Sequence, residues 1–433
     1  MKNFVPVLVN TALANITTSF LWFALTFWVY LETRSILATG LIGGTYMLLV
    51  AISSLFFGTL VDQHRKKVIM VASGIFTLGT YLIAGFIFAL TPAGVLLDWT
   101  GPFLWIFAAI ILIGSVVENM RNIALSTTVT LLVPKEKYAN ANGLVGTVQG
   151  LSFLVTSVFS GLSIGFLGMG WTLAIALVAT LLATIHLVFF VKIPEKEIVH
   201  DPELSNKKID IKGSIAAIKV VPGLFGLIIF STFNNFIGGI YITLIDPYGL
   251  TLFSVQIWGI ILGITSIGFI IGGILIAKKG LGKKPLQTLL IANIIMATIG
   301  MLFTIREFWI LYVVGIFLYM CLIPIIEATE QTIIQRVVPL KRQGRVFGFA
   351  QSFEAAATPI TAILIGPIAQ FWIIPYMNSP NGQSQLGWLL GSGDARGIAL
   401  LFVVGGLIML IAAILAFKTR SYKVLSQFYS KTS

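Results

Sequence analysis

Long apolar stretches recur along almost the whole length of this chain, and each is interrupted by a few charged residues or by Pro and Gly. Of its 433 residues, 57% are hydrophobic and only 10% carry a charge. A soluble core cannot enclose this composition, whereas a helix of about 20 apolar residues spans the hydrocarbon of a bilayer. The pattern therefore predicts an all-α polytopic membrane protein.

Cutting the sequence at its charged and Pro/Gly-rich points gives twelve spans. Of the 28 Lys and Arg residues, 24 fall in loops on one side of this arrangement and three on the other, while Arg121 lies within a span. Because cytoplasmic loops are enriched in Lys and Arg, this distribution places both termini in the cytoplasm and predicts a multi-pass protein of the plasma membrane. The spans cover roughly residues 4–31, 36–61, 68–90, 103–130, 139–166, 171–192, 222–245, 254–277, 286–305, 308–335, 345–374 and 397–417.

The most polar part of the chain separates the first six spans from the last six. We predict an N-terminal six-helix bundle over residues 1–193, a cytoplasmic linker over 194–221 and a C-terminal six-helix bundle over 222–433. The formal charge of +12 lies mostly in short loops between apolar runs. It therefore orients the chain in the lipid bilayer and does not indicate binding of nucleic acid.

Short motifs repeat between the two halves, which indicates that the halves are copies of one another. The matching pairs are Val133-Pro134 with Val338-Pro339, Gly146-x-x-Gln149 with Gly348-x-x-Gln351, and the stretch Gly58 to Asp62 with the stretch Gly273 to Ala277. The second copy of the last motif has lost the acid.

Twelve spans, a central linker and the motif G-x-L-x-D with a basic cluster between spans two and three resemble the major facilitator superfamily. The resemblance covers the whole chain, and segments 132–134 and 344–348 are similar to its macrolide-efflux-type drug exporters. It implies two pseudo-symmetric six-helix bundles and a transporter that works as a monomer. It also implies a latch between the cytoplasmic ends of the bundles, formed by Gly58, Asp62, Arg65, Lys66 and Lys67.

Four carboxylates, Glu118, Glu327, Glu330 and Glu354, lie inside apolar spans. A carboxylate at membrane depth costs at least ~2.5 kcal/mol, so it faces a cavity or a partner and often carries protons or cations. Glu327 and Glu330 are three residues apart on one helical face, where repulsion between like charges favours a proton on one of them. We expect these two above all to couple transport to protons.

The other two carboxylates have structural alternatives. Arg121 follows Glu118 by three residues, so the two could form an ion pair that serves only the fold. Glu354 lies in the cytoplasmic part of span eleven, where Arg336 or Arg345 could neutralise it.

The resemblance further implies that spans one, four, seven and ten line a central cavity that binds a small-molecule substrate. Aromatic rings there would supply stacking and cation–π surface. We predict proton-coupled efflux of amphiphilic, cationic drugs, macrolide-like or of many kinds, by alternating access of the two bundles. A specific exporter or importer of one metabolite, siderophore or lipid is the alternative. The candidate substrate-binding residues are Asn10, Asn15, Trp22, Arg121, Phe230, Phe233, Asn234 and Asn235.

Other function classes have little support in the sequence. The histidines, His64, His186 and His200, are scattered, and the single Cys321 lies in an apolar run. There is no Walker-type phosphate loop. We therefore expect no metal and no cofactor, and neither an enzyme nor a receptor.

Overall fold

The computed structural model describes residues 3–33, 36–98, 100–194, 210–391 and 393–431, and the long elements in these ranges are all helices. A 3₁₀ turn covers Lys135–Lys137 and a π-helical turn covers Ala369–Ile373. The α-helices are α1 (Phe4–Thr33), α2 (Ile36–Gln63), α3 (Lys66–Leu90), α4 (Ala93–Leu96), α5 (Pro102–Glu118), α6 (Met120–Leu132), α7 (Tyr138–Phe189), α8 (Ile211–Val220), α9 (Leu224–Leu252), α10 (Val255–Lys279), α11 (Pro285–Leu302), α12 (Trp309–Val337), α13 (Leu340–Ile368), α14 (Ile374–Asn378), α15 (Pro380–Leu390), α16 (Asp394–Lys418) and α17 (Arg420–Lys431).

Eleven helical segments of the described residues are long and apolar enough to cross a bilayer. One of them, Lys135–Phe189, has 55 residues. As one straight helix at 1.5 Å per residue it would extend for about 80 Å, more than twice the ~30 Å hydrocarbon core. Its backbone breaks at Gly168, where φ is 74° and ψ is 176°, a conformation that glycine adopts without strain. This segment therefore crosses twice, and the predicted all-α fold of twelve membrane helices is confirmed.

The chain forms two compact units, and α7 and α13 each contribute residues to both. The first unit is Met1–Ala141, Leu151–Ala217 and Val338–Ser352, and the second is Asn142–Gly150, Ile218–Val337 and Phe353–Ser433. The predicted division of the sequence into two bundles at residues 194–221 stays a prediction. Within that predicted linker, α8 is a helix, and residues 195–209 lie outside the described ranges.

The core of the first unit is built from α1, α3, α5 and the later part of α7. Leu21, Leu25, Phe107 and Ile111 have no exposed surface. The ring of Trp28 lies edge-on to Phe107 at 5.6 Å. Because lipid tails are as apolar as leucine, such contacts stabilise the unit through dense packing rather than through removal of apolar surface from water.

The second unit has an aromatic core between α9, α10, α12 and α16. Trp258 stacks on Tyr312 at 5.6 Å, and Tyr248 lies 4.7 Å from Tyr312. Phe303 and Phe402 complete the cluster at 5.3 Å from each other. Offset and edge-to-face rings add about 0.5–1.5 kcal/mol per pair beyond their buried area, so this cluster rigidifies the unit.

A short helix, α15, caps the predicted outer end of the second unit. The hydroxyl of Ser379 accepts a hydrogen bond from the Gly382 amide at 3.2 Å and so caps its first turn. At its last turn, Arg306 donates to the Trp388 carbonyl at 3.1 Å and Arg396 to the Leu390 carbonyl at 3.4 Å. Cations at a helix C-terminus satisfy its free carbonyls, so both ends of α15 are fixed.

Candidate functional site

A buried charged pair lies in the first unit, on span four. The Nε of Arg121 donates to Glu118, and its Nη1 donates to Asn10 Oδ1 at 2.6 Å. A further hydrogen bond of 3.2 Å joins Nη2 to the Met70 carbonyl. Arg121 is 1% exposed and Glu118 is 3% exposed, so each charge is neutralised by the other. The structural alternative for Glu118 is thus present, and a role of Glu118 in proton coupling stays a prediction.

The same network reaches two further helices. Asn10 Nδ2 donates to the Ala183 carbonyl at 2.7 Å and lies 3.1 Å from His186 Nδ1, both on α7. The hydroxyl of Thr77 on α3 lies 3.4 Å from Glu118 Oε2. Two predicted substrate contacts, Asn10 and Arg121, are therefore engaged with protein partners and hold α1, α3, α6 and α7 together.

A chain of side-chain amides runs through the first unit. Asn15 donates to Asn122 at 3.1 Å, and Asn122 donates to Asn119 at 3.1 Å. Gln351 of α13 donates to the same oxygen of Asn119 at 3.2 Å. These four residues are half-buried, and Asn119 Nδ2 is enclosed without a partner. The predicted contact Asn15 thus belongs to a group of neutral donors and acceptors.

Trp22 lies in an aromatic group of the first unit. Its ring is edge-on to Phe23 at 4.8 Å and tilted against Tyr46 at 5.1 Å, and Phe23 in turn lies 6.2 Å from Phe153. The indole nitrogen is enclosed and has no hydrogen-bond partner. The group offers stacking surface and one unused donor.

The remaining three carboxylates meet in the second unit. Glu330 on α12 is 8% exposed and interacts with Ser231 of α9 and Glu354 of α13. Glu327 lies one turn away on α12, is exposed, and interacts electrostatically with both other carboxylates. We call Glu327, Glu330 and Glu354 the acidic cluster. Glu327 lies three residues past Pro324, which interrupts the helical hydrogen bonding of α12.

Among the residues that the structure describes, no cation compensates the acidic cluster. One oxygen of Glu330 and one of Glu354 are enclosed without a partner. Arg336 binds the Tyr429 hydroxyl at 3.0 Å, and no Lys or Arg of the described ranges forms an ion pair with the cluster. The structural alternative for Glu354 is therefore not the arrangement found.

The predicted residues of α9 are divided between different surroundings. Asn235 donates to the Ser231 carbonyl at 3.0 Å, and Asn234 is half-buried. Phe233 stacks on Phe236 at 6.4 Å and packs against the core of the second unit. Phe230 lines a separate cavity of about 50 Å³, formed with α11, α16 and α17. Only Asn235 is bonded to a residue that contacts the acidic cluster.

The predicted latch residue Asp62 is fully buried at the end of α2 and binds the start of α13. Its Oδ1 accepts a hydrogen bond from the Gly344 amide at 2.7 Å. Its Oδ2 accepts from the Arg345 amide at 2.9 Å and lies 3.4 Å from Arg345 Nε. All three residues belong to the first unit. Hydrogen bonds to an ionised acceptor are about twice as strong as neutral ones, so this contact can hold the two helix ends together.

Small residues make this contact possible. A Cβ on Gly58 would collide with the Gly344 carbonyl and lie 3.0 Å from Gly348 Cα. One turn further along α13, the Ser352 hydroxyl donates to the Ala51 carbonyl at 2.5 Å. Glycine and serine at every fourth position let two helix backbones touch within a membrane. Gly58 thus allows the close approach of α2 and α13, while its role in a latch stays a prediction.

The basic residues of the motif differ in how they are placed relative to Asp62. Lys66 is 2% exposed, donates to the Val61 carbonyl at 2.8 Å and interacts with Asp62 electrostatically. Lys67 donates to the Val188 carbonyl at 2.9 Å, within the first unit. Arg65 is exposed at the start of α3. Of the three cations in the predicted latch, Lys66 is therefore the one that faces the acid.

The sequence did not identify every residue of these contacts. Arg345 also donates to Asp210 Oδ2 at 2.9 Å, so a second acid binds the arginine that contacts Asp62. In the second unit, Asn142 Nδ2 lies 2.8 Å from both Thr332 Oγ1 and Gln335 Oε1, and this buried amide lock joins α7 to α12. Small residues at every fourth position of α2 and α13 were a readable signal for the contact between those two helices, whereas no signal predicted the contacts of Asp210 and Asn142.

Several known proteins are similar to this chain in sequence or in fold. The family description "Major Facilitator Superfamily" matches residues 7–362. Macrolide efflux protein A of Streptococcus pyogenes is 24% identical over 371 residues, which cover 83% of this chain and 88% of that protein. A bacterial homologue of the iron transporter ferroportin, solved in an outward-facing state, superposes with a TM-score of 0.70 at 13% identity, covering 97% of this chain and 100% of that one. A proton:xylose symporter has a TM-score of 0.67 at 12% identity, with 96% of each chain covered.

Proposed function

Because this chain belongs to the major facilitator superfamily, we propose that it exports amphiphilic, cationic drugs, macrolide-like compounds among them, in exchange for protons. Membership confirms the predicted family and makes the chain a multi-pass membrane transporter rather than an enzyme. The proposed cycle is alternating access by movement of two helical bundles.

The acidic cluster carries the proposal. Its three carboxylates lie on α12 and α13, far from either end of the spans. Glu327 precedes the last residue of α12 by ten positions, which is about 15 Å along the helix axis and about half of the hydrocarbon core. An unpaired carboxylate at that depth favours either a proton or a cationic ligand. Competition between these two would couple drug export to proton entry.

The three carboxylates differ in their access. Glu327 is exposed, so it is the member that can approach the charge of a drug. Glu330 and Glu354 interact with each other in the interior, and Glu330 also interacts with Ser231, so we propose that this pair stores one proton. A second proton arriving from outside would neutralise Glu327 and release the cation. In this proposal, entry of protons drives export of the cationic drug.

The test is proton movement in energised everted vesicles on addition of macrolides and lipophilic cations. Wild type and the single variants Glu327→Gln, Glu330→Gln and Glu354→Gln are compared with Glu307→Gln. Glu307 has a side chain that is 57% exposed and lies outside the acidic cluster, so it controls for loss of a carboxylate as such. We expect drug-induced proton release from wild type and Glu307→Gln, and a loss of about 10-fold or more in the cluster variants, since each removes a group with which a proton interacts directly.

Two results would count against the proposal. Coupling of wild-type strength in all three cluster variants would remove the acidic cluster from the mechanism. Silence of folded wild type across the whole panel would favour the specific exporter or importer of a single compound. Competition among unrelated drugs distinguishes broad from narrow specificity in the same vesicles.

A further inference from the structure

We propose that Asp210, the residue before α8, is a third member of the latch and that it makes the folding of α8 depend on latch closure. The guanidinium of Arg345 contacts both Asp210 and Asp62 in the interior of the first unit. The inference rests on the latch role that belongs to the transport cycle proposed above. It assigns a positioning function to the linker between the sequence halves.

The three charges form one buried group. Asp62, Arg345 and Asp210 are 0%, 4% and 5% exposed. Arg345 Nη1 donates to Asp210 at 2.9 Å, while its Nε lies 3.4 Å from Asp62. Leaving one partner of a buried pair without the other is far more costly than breaking an exposed pair. Because one guanidinium contacts both acids, a movement of Arg345 away from Asp62 also disturbs its contact with Asp210.

The two oxygens of Asp210 have different tasks. Oδ2 binds Arg345, whereas Oδ1 accepts a hydrogen bond from the Gly213 amide at 2.9 Å. The Ser214 hydroxyl donates to the Asp210 carbonyl at 2.8 Å. This is the geometry of a helix N-cap, in which an aspartate satisfies a free amide of the first turn. The cap of α8 and the latch thus share one side chain.

Gly213 leaves room for the contact between Asp210 and Arg345. A Cβ at this position would collide with Asp210 Oδ2 and lie 2.8 Å from Arg345 Nη1. Glycine is unfavourable within a helix, yet any larger residue here would push the guanidinium away from its acid. The first turn of α8 is therefore shaped around Arg345.

The length of α8 supplies the coupling. It has ten residues, fewer than the 12–15 or so that an isolated helix needs to be even marginally stable in water. Its first turn depends on the cap, and the cap is oriented by Arg345. When Arg345 moves away with α13, the ion pair between Arg345 and Asp210 breaks and no longer orients the cap of α8.

Hydrogen exchange of the full-length purified protein tests this directly. We compare amide exchange over residues 211–216 in wild type, Asp62→Asn and Asn142→Ala. Asp62→Asn weakens the latch without touching α8, and Asn142→Ala removes the buried amide lock of the second unit as a matched control. A hydrogen bond to a charged group is strong enough that its loss should speed exchange roughly 10- to 100-fold in Asp62→Asn, and the control should leave it unchanged.

A second variant measures the reverse direction. Asp210→Asn keeps a good capping oxygen but removes the charge that holds Arg345. Latch opening is followed as maleimide labelling of Ser352→Cys, a buried position of the latch, in a Cys321→Ser background. We expect Asp210→Asn to raise the labelling rate about tenfold while thermal unfolding shows a folded protein.

The outcomes separate this inference from the function on which it rests. If Asp62→Asn labels faster but α8 exchanges as in wild type, the coupling is wrong and the latch stands. If Asp62→Asn neither labels faster nor alters exchange, the latch assignment fails and takes the inference with it. Equal acceleration of α8 exchange in Asn142→Ala would indicate general loosening, which also overturns the coupling.

Discussion

Replacing Gly58 by alanine should open the latch without removing any charge. Gly58 lies where α2 crosses the start of α13, and its Cα faces the Gly344 carbonyl and Gly348. An added Cβ would collide with the carbonyl and come within 3.0 Å of the Gly348 Cα, and both of these are backbone atoms. Neither can rotate away as a flexible side chain would, so the two helices must separate.

The size of the effect follows from the cost of overpacking. Forcing an extra carbon into a well-packed contact costs about 1–3 kcal/mol. Alanine also stabilises a helix by roughly 0.5–1 kcal/mol relative to glycine. That gain applies whether the latch is open or closed, so it cancels in the ratio of the two states. The closed state should lose about 1–3 kcal/mol relative to the open one, a change of about 5- to 150-fold in their ratio.

The matched control lies on the same helix. A Cβ on Gly44 would meet no atom within 4 Å, so Gly44→Ala has the same helix gain and no clash. Labelling of Ser352→Cys should be about 5- to 150-fold faster in Gly58→Ala than in Gly44→Ala, if labelling follows the open fraction. Equal labelling rates in the two variants would refute the argument that backbone contact between α2 and α13 holds the latch closed.

Three further predictions concern other parts of the molecule. Glu118→Gln leaves the buried Arg121 charge unpaired and should cost about 3–5 kcal/mol, seen as a lowered thermal unfolding temperature that the double variant with Arg121→Gln partly restores; an unchanged unfolding temperature would show that the pair does not stabilise the fold. Asn142→Ala removes two hydrogen bonds of 2.8 Å to α12 and should cost about 1–3 kcal/mol in chemical denaturation, whereas no change would mean that water replaces the amide. Hydrogen bonds from the hydroxyl and amide of Thr100 hold the pKa of Asp98 below its ordinary value, so their stabilising effect is complete above about pH 4 and is lost as the pH falls through the lowered pKa. Thr100→Val should therefore raise the pKa of Asp98 in a carboxyl NMR titration, and an unaltered pKa would assign the shift to another cause.

Much of the fold could be predicted because a bilayer imposes local rules. A span needs about 20 apolar residues whatever its neighbours are, so span number and approximate bounds follow from composition along the chain. The boundary between spans five and six was predicted between residues 166 and 171, and the helix of 52 residues breaks there, at Gly168. Gly165, Gly168 and Gly170 are the local signal for this break. The helices α15 and α8 contact residues distant in sequence, such as Arg306 and Arg345, and a local sequence pattern does not predict such contacts.

The candidate site was predicted only in part, for a similar reason. The rarity of carboxylates in apolar spans identified Glu327, Glu330 and Glu354, since each has a cost that needs a reason. Their grouping was not predictable, because Glu354 belongs to a different helix and had arginines within reach. In the structure, Arg345 is engaged by Asp62 and Asp210 and Arg336 by Tyr429, so neither pairs with Glu354.

The sequence by itself determined that this chain spans a membrane twelve times, carries a latch motif after its second span and holds four costly carboxylates. Each of these follows from the transfer of single residues into lipid or from a short local motif. Only the tertiary structure decided which carboxylates are neutralised and which are not. Glu118 forms an ion pair with Arg121, whereas Glu330 interacts with another carboxylate, Glu354. The physical reason is that the energy of a buried charge depends on atoms within a few ångströms, and packing between helices chooses those atoms.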